Sequence, residues 1–264
     1  MIDQEIQAKL REKFNPDGSM LRKQQLRMLE ILLYIDKVCK ENNIKYWLSS
    51  GTLLGAVRHG GFIPWDDDLD IEMLREDYER FIKIFPNNDK YALQTHKTDE
   101  NYFRTFAKVR DLHSQISEFE IDKYYKYRGL YVDVFSIERL PQSICKFYGR
   151  VYGAIARWAH KCYNKKLKFR MVKCFQSIVS LSTIIVRPFF RLFTKELHHS
   201  YGSGFLRKRH FEDIFPLVDI KFEGYMFPAP NNMNNYLNKL YGDYHRLPEI
   251  DSIVVHTSSC IFKN

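Results

Sequence analysis

The sequence predicts an α+β fold, with a mixed sheet flanked by helices in the N-terminal half and a mainly helical C-terminal half. Three observations predict it. Leu26, Leu29, Leu32, Leu33, Ile35 and Val38 recur at helical spacing within residues 17–42. The stretches "DLDIEM" (68–73) and "GLYVDVFSIERL" (129–140) carry strand-type alternation or β-favouring residues. From residue 143 to 200 the chain is basic and reads as helix, without a strong strand signal. The change of character near Pro141 divides the chain into a core, 1–141, and a second region, 142–264.

The elements follow in order. The first long helix stops at Asn42-Asn43, and Ile44, Tyr46, Trp47 and Leu48 make a short strand. "TLLGAVRHG" is a short helix capped by Ser50 or Thr52, and Gly60, Gly61 and Pro64 make a loop. In "DLDIEM" Asp68, Asp70 and Glu72 face one way and Leu69, Ile71 and Met73 the other. "REDYERFIKIF" is a helix ended by Pro86 and the Asn87-Asn88 turn. "YALQTH", "RTFAKVRDLHSQI" and "GLYVDVFSIERL" are strands, and "NNMNNYLNKLYGDY" is a final helix with an Asn cap.

The bulk composition excludes little. A 264-residue chain with 45% apolar and 28% charged residues can bury a full core. The formal charge of +9, with 41 Lys and Arg, suits an anionic partner or a solvated basic surface. Five cysteines without a CxxC spacing argue against a disulfide framework and for a reducing, cytoplasmic setting. The N-terminus lacks the apolar core of a signal peptide. The most apolar stretch, "FQSIVSLSTIIV" (175–186), has 12 residues, too few to span a bilayer. Cations flank it on both sides, which suits an interfacial segment on the inner face of a membrane; a buried helix is the alternative.

The acids carry the chemistry. On a strand, Asp68 and Asp70 point to one face about 6.5 Å apart. Two carboxylates on one face raise each other's pKa, and a divalent ion relieves the repulsion. Mg²⁺, or Mn²⁺, suits a few carboxylates together with phosphate oxygens. Asp133 stands alone among Tyr131, Val132, Val134 and Phe135, where burying it requires a partner. If its strand lies beside "DLDIEM", Asp68, Asp70 and Asp133 converge on the metal that clamps a phosphate. An acid in so apolar a strand could also serve as the base. Asp67 is read as part of a solvated loop, and for Asp66 a solvated loop is one of two readings left open. In "SSGT" (49–52) a strand meets a helix, so Ser50, Gly51 and Thr52 are placed to hold phosphate at the helix N-terminus; a plain tight turn is the alternative. Arg58, Lys108 and Arg110 are candidates to bind the donor's phosphates, with surface ion pairs as the alternative.

The stretch "SSGTLLGAVRHGGFIPWDDDLDIEM" resembles the signature of the LicD family, within the nucleotidyltransferase-fold superfamily. "KVRD" (108–111), "GLYVDVF" (129–135) and "YLNKLYGDYHRLP" (236–248) extend the resemblance. It implies a nucleotidyltransferase-like sheet and a metal-dependent transferase. Such proteins move phosphocholine from CDP-choline to a sugar of a cell-surface glycan, and the related fukutin group moves ribitol phosphate from CDP-ribitol. The family's Gly-Ser turn, paired acids and later single acid fall on Ser50 and Gly51, on Asp68 and Asp70, and on Asp133. Here the turn reads Ser-Gly-Thr. The implied partners are a CDP-alcohol donor and a glycan or lipid-linked sugar acceptor, with no nucleic acid. Two alternatives stay open: nucleotide transfer to a small molecule or RNA, and a non-catalytic member that binds glycan or membrane.

Overall fold

The computed structural model describes residues 2–102, 104–117, 123–161, 165–200, 207–250, 253 and 259–263. Helix α1 (Gln4–Phe14) begins at Asp3, whose carboxylate accepts from the Glu5 amide at 2.8 Å. Helix α2 (Met20–Glu41) is capped by Ser19, whose hydroxyl accepts from the Arg22 amide. Its inward stripe includes Met28, Ile31, Leu32, Ile35 and Val38, all buried. Leu26, predicted on that stripe, is 43% exposed. It falls about 100° around the helix from Gln25, which takes the inward place. Gln25 Nε2 donates to the carbonyl of Asp66 at 2.9 Å, so α2 holds the acidic loop as well as the core.

The main sheet runs in the order β1 (Trp47–Leu48), β2 (Asp70–Leu74), β6 (Tyr131–Glu138), β4 (Ala107–Asp111) and β3 (Tyr91–Gln94). β2 and β6 are parallel, and the other neighbours are antiparallel. Helix α3 (Ser50–His59) separates β1 from β2, and α4 (Arg75–Ile84) follows β2 directly. Leu69, Ile71, Met73, Val109, Val132 and Val134 share one core cluster with the inward face of α2. Alternation then turns Asp70, Glu72, Lys108, Arg110, Asp133 and Phe135 to the other face.

The strand expected over 104–116 divides. The β3–β4 ladder ends at the pair Tyr91–Asp111. The chain then bends, and β5 (Ser114–Ser117) pairs with β11 (Ser259–Phe262), a C-terminal strand that sequence periodicity did not reveal.

The second region holds helices α5 (Gln142–Lys161), α6 (Lys165–Phe193), α7 (Phe211–Ile214) and α8 (Met233–Tyr241). It also contains strands. β7 (Glu196–His199) pairs with β6, β8 (Arg209–His210) pairs with β7, and β9 (Val218–Phe222) and β10 (Tyr225–Ala229) form a hairpin. β7 lies at the end of the stretch expected to be helical; its residues Leu197, His198 and His199 are buried at the sheet edge. The apolar segment 175–186 is not a buried helix: Val179 faces inward, whereas Ile178, Leu181 and Ile185 are exposed. Among the described residues no single helix is long and apolar enough to cross a membrane.

Candidate active site

Register assembles the site. Asp70 pairs with Asp133 across β2 and β6, Asp133 with Lys108 across β6 and β4, and Lys108 with Gln94 across β4 and β3. Paired residues point to one face, so two acids and a cation form a row across adjacent strands. The Lys108 ammonium lies 2.7 Å from Asp133 Oδ1 and 3.1 Å from the centre of the Tyr131 ring. The Asp133 amide donates to the Leu69 carbonyl at 2.9 Å, fixing β6 against the entry to β2. Asp68 lies just before β2 rather than within it, because the strand begins at Asp70.

Asp70 is held well above the usual carboxylate range by burial first, then by Asp133 and Asp68. Asp68 is pushed up to about 7 by burial, then by Asp66 and Asp133. Asp68 itself reaches solvent, and Asp66, Asp133 and Asp67 crowd it from the protein side. Asp66 is pushed up to about 7 by burial and then by Asp67. Lys108 opposes the rise at both Asp68 and Asp70. Among the described residues, Asp66, Asp67 and Asp68 form a set whose oxygens lie within 4.8 Å of one another. All these donors are oxygens that share too little positive charge, which is the chemistry a hard divalent cation fits.

The turn before α3 closes over this cluster. Ser49 donates its amide to the Asp70 carbonyl, and Asp70 donates its own to Thr52 Oγ1 at 2.8 Å. The cap position falls on Ser49 rather than Ser50 or Thr52, and no side chain caps the helix. Its first amides therefore have no partner within their own helix. Ser50 opens α3 with φ +48°. Gly51 is where a side chain would not fit: a Cβ there would lie 2.8 Å from Asp66 Oδ2. The Asp66 carboxylate thus lies against the helix start rather than out in a solvated loop, the point the sequence leaves open.

Of the three predicted cations, only Lys108 pairs with an acid of the cluster. Arg58 is buried, and its guanidinium donates to His59 Nε2 at 2.9 Å and to the Tyr244 carbonyl at 3.0 Å. It ties "YGDYHR" to α3. Arg110 donates to Gln94 Oε1 and to the Gly129 carbonyl, both at 2.7 Å, and stacks on Tyr131.

Sequence reasoning missed three contributors. Tyr241, at the end of α8 and 41% exposed, is raised by partial loss of hydration and then by Asp70 and Asp66, so the C-terminal motif reaches the carboxylates. Arg104, half-buried, feels the charge of Asp133. Glu72, two residues past Asp70 on the same face, is fully buried. It accepts from Trp47 Nε1 and Tyr236 OH at 3.0 Å each, pairs with His199 Nε2 at 2.7 Å, and meets Arg209 at 2.5 Å. Alternation marks Glu72 as in phase with the acids; nothing local marks its partners, which lie more than 120 residues away in three of the four cases.

Residues 43–151 match the family described as "LicD/FKTN/FKRP, nucleotidyltransferase domain". The matched segment resembles that domain over well under half of the chain. That segment contains Ser50, Gly51, Thr52, Arg58, Asp68, Asp70, Lys108, Arg110 and Asp133, while Tyr241 and Arg209 come from outside it. The chain is 29% identical over 251 residues to the lipopolysaccharide cholinephosphotransferase LicD of Haemophilus influenzae, covering 86% of this chain and 92% of that protein. It is 46% identical over 48 residues to the human ribitol 5-phosphate transferase FKRP, which is 18% of this chain and 10% of that protein. A 62-residue match at 40% identity to mannosyltransferase regulator 4 of Saccharomyces cerevisiae covers 23% of this chain and 5% of that protein. Similarity to the two eukaryotic proteins covers less than a quarter of this chain, whereas similarity to the bacterial one covers 86% of it.

Proposed function

We propose that the protein is a metal-dependent transferase that moves a phospho-alcohol group, phosphocholine from CDP-choline, onto a sugar of a cell-surface glycan. The observation that carries this reading is the pairing of Asp70 with Asp133 across parallel strands, with Asp68 and Asp66 crowded beside them. The near-full-length similarity to a bacterial cholinephosphotransferase supports the choice of group. A lipid-linked acceptor would bring the enzyme to the inner face of a membrane.

Asp68, Asp70 and Asp133 would hold Mg²⁺ or Mn²⁺, which when bound neutralises charge on the donor's pyrophosphate. The amides at Ser50, Gly51 and Thr52 bind a donor phosphate at the start of α3. The sugar hydroxyl forms a bond to the distal phosphorus, the bond from that phosphorus to the bridging oxygen breaks, and CMP leaves with the electron pair. The hydroxyl proton passes to a carboxyl beside the metal ligands; Asp66, pushed up to about 7, is the candidate base. Lys108 holds Asp133 in place and limits the negative charge of the row.

The test is release of CMP from CDP-choline, and separately from CDP-ribitol, with and without Mg²⁺. Asp68→Ala is the control. Mg²⁺-dependent CMP release that the variant lacks supports the reading. Pyrophosphate release from CTP or ATP, with CDP-alcohols untouched, would assign nucleotide transfer instead.

A further inference from the structure

We propose that the α5–α6 hairpin is a bilayer-docking element that lays one face of α6 on a membrane rich in anionic lipid. The inference is independent of the transferase reading. Met171, Ile178, Leu181, Ile185, Phe189 and Leu192 lie on one side of α6, separated by steps of three, four or seven residues. All six are exposed, reaching 71% at Ile185 and 80% at Leu192. The side turned to α5 is already covered: Val172 packs with Tyr152, and the Ser182 hydroxyl meets Tyr148 OH at 2.8 Å. α6 is therefore apolar on both sides, and only one side has a partner. The stripe runs from Met171 to Leu192, across a bend of 43° between Val179 and Ile184, and exceeds the scattered apolar surface of an ordinary soluble protein.

Charge decides what covers it. Between Glu138 and Glu196 there is no Asp or Glu, but there are 13 Lys and Arg. The rest of the chain holds 28 Lys and Arg against all 32 acids. The entire basic excess of the protein lies in this hairpin and its flanks. Anionic headgroups supply the missing counter-charge while acyl chains receive the stripe. A second copy would bring the same cations and no acid to pair with them. Exposed Trp158 and Phe147 on α5 add aromatic groups of the kind that settle at the headgroup boundary.

The hairpin is also fixed to the catalytic sheet. Gln176 donates to the Arg104 carbonyl, and Arg187 pairs with Glu138 of β6 at 2.9 Å and Glu79 of α4 at 3.2 Å. Docking the stripe therefore orients the sheet with it.

Flotation of the full-length chain with phosphatidylcholine vesicles, with and without phosphatidylglycerol, tests this. The chain should float only with the anionic vesicles and leave them at high salt. Ile178→Glu/Leu181→Glu/Ile185→Glu, at exposed positions, should melt like the parent protein and stay unbound. Arg150→Gln/Arg157→Gln/Arg170→Gln should weaken partitioning about fivefold per cation, on the order of a hundredfold for the three. The proposal is overturned if the parent chain does not float, or if the triple Glu variant floats equally well. Retention after alkaline carbonate would mean an inserted span instead. A dimer that the Glu variant dissociates, with no flotation, would mean that a second copy covers the stripe.

Discussion

Glu72→Gln should destabilise the protein far more than its isosteric shape suggests. Glu72 and Arg209 are both buried, and their ion pair spans β2 and β8 at 2.5 Å. Burial alone would raise the Glu72 carboxyl, but Arg209 first, and then His199, hold it below its ordinary value. The amide keeps an acceptor for Trp47 Nε1 and Tyr236 OH, so those bonds survive. Arg209 loses its counter-charge and remains buried, a change that costs about 3–5 kcal/mol. Urea denaturation with an unchanged slope measures it. Adding Arg209→Met to Glu72→Gln should recover about 2 kcal/mol, because the double variant no longer buries an unpaired charge. Because Asp70 lies two residues away on the same strand, CMP release should fall in the single variant. A loss under about 0.5 kcal/mol for Glu72→Gln, or strictly additive losses in the pair, would refute this reasoning.

Two further outcomes follow from the carboxylates. Asp66 is raised from 3.8 to about 7, so between those values the folded protein binds more protons than the unfolded chain. Stability of the metal-free protein should therefore fall as pH rises from about 5 to 8, by less than about 4 kcal/mol for this group because it is only partly buried. Saturating Mg²⁺ should flatten that slope, and a metal-free melting temperature that rises over the same range would contradict it. Gly51→Ala places a methyl 2.8 Å from Asp66 Oδ2 and should cut CMP release about 10²-fold while the melting temperature changes little. Unchanged turnover in that variant would remove Asp66 from the site.

The parts of the fold that depend on local periodicity were legible in sequence. Alternation placed Ile71 and Met73 in the core and Asp70 on the opposite face, and the apolar neighbours of Asp133 marked a strand. The strand–turn–helix at Ser49–Thr52 was legible from its glycine and its flanks. Long-range closure was not legible. Nothing near Arg209 or His199 signals that they enclose Glu72, and β11 has no periodicity that foretells its pairing with β5. Arg58 and Arg110 show the limit for single cations: charge on a helix or strand does not reveal which carbonyl takes its donors, and both guanidiniums bond to backbone. The role of Asp66 stayed open for a related reason. A loop acid reads as solvated unless its contact with a glycine on another element is known.

The central claim is that acids from β2, from the loop before it and from β6 surround one divalent cation. Anomalous diffraction from crystals grown with Mn²⁺ tests it most directly. A peak ringed by carboxylate oxygens of Asp68, Asp70 and Asp133, lost in Asp133→Asn, is the predicted result. A peak held by other residues, or none at saturating Mn²⁺, would contradict it.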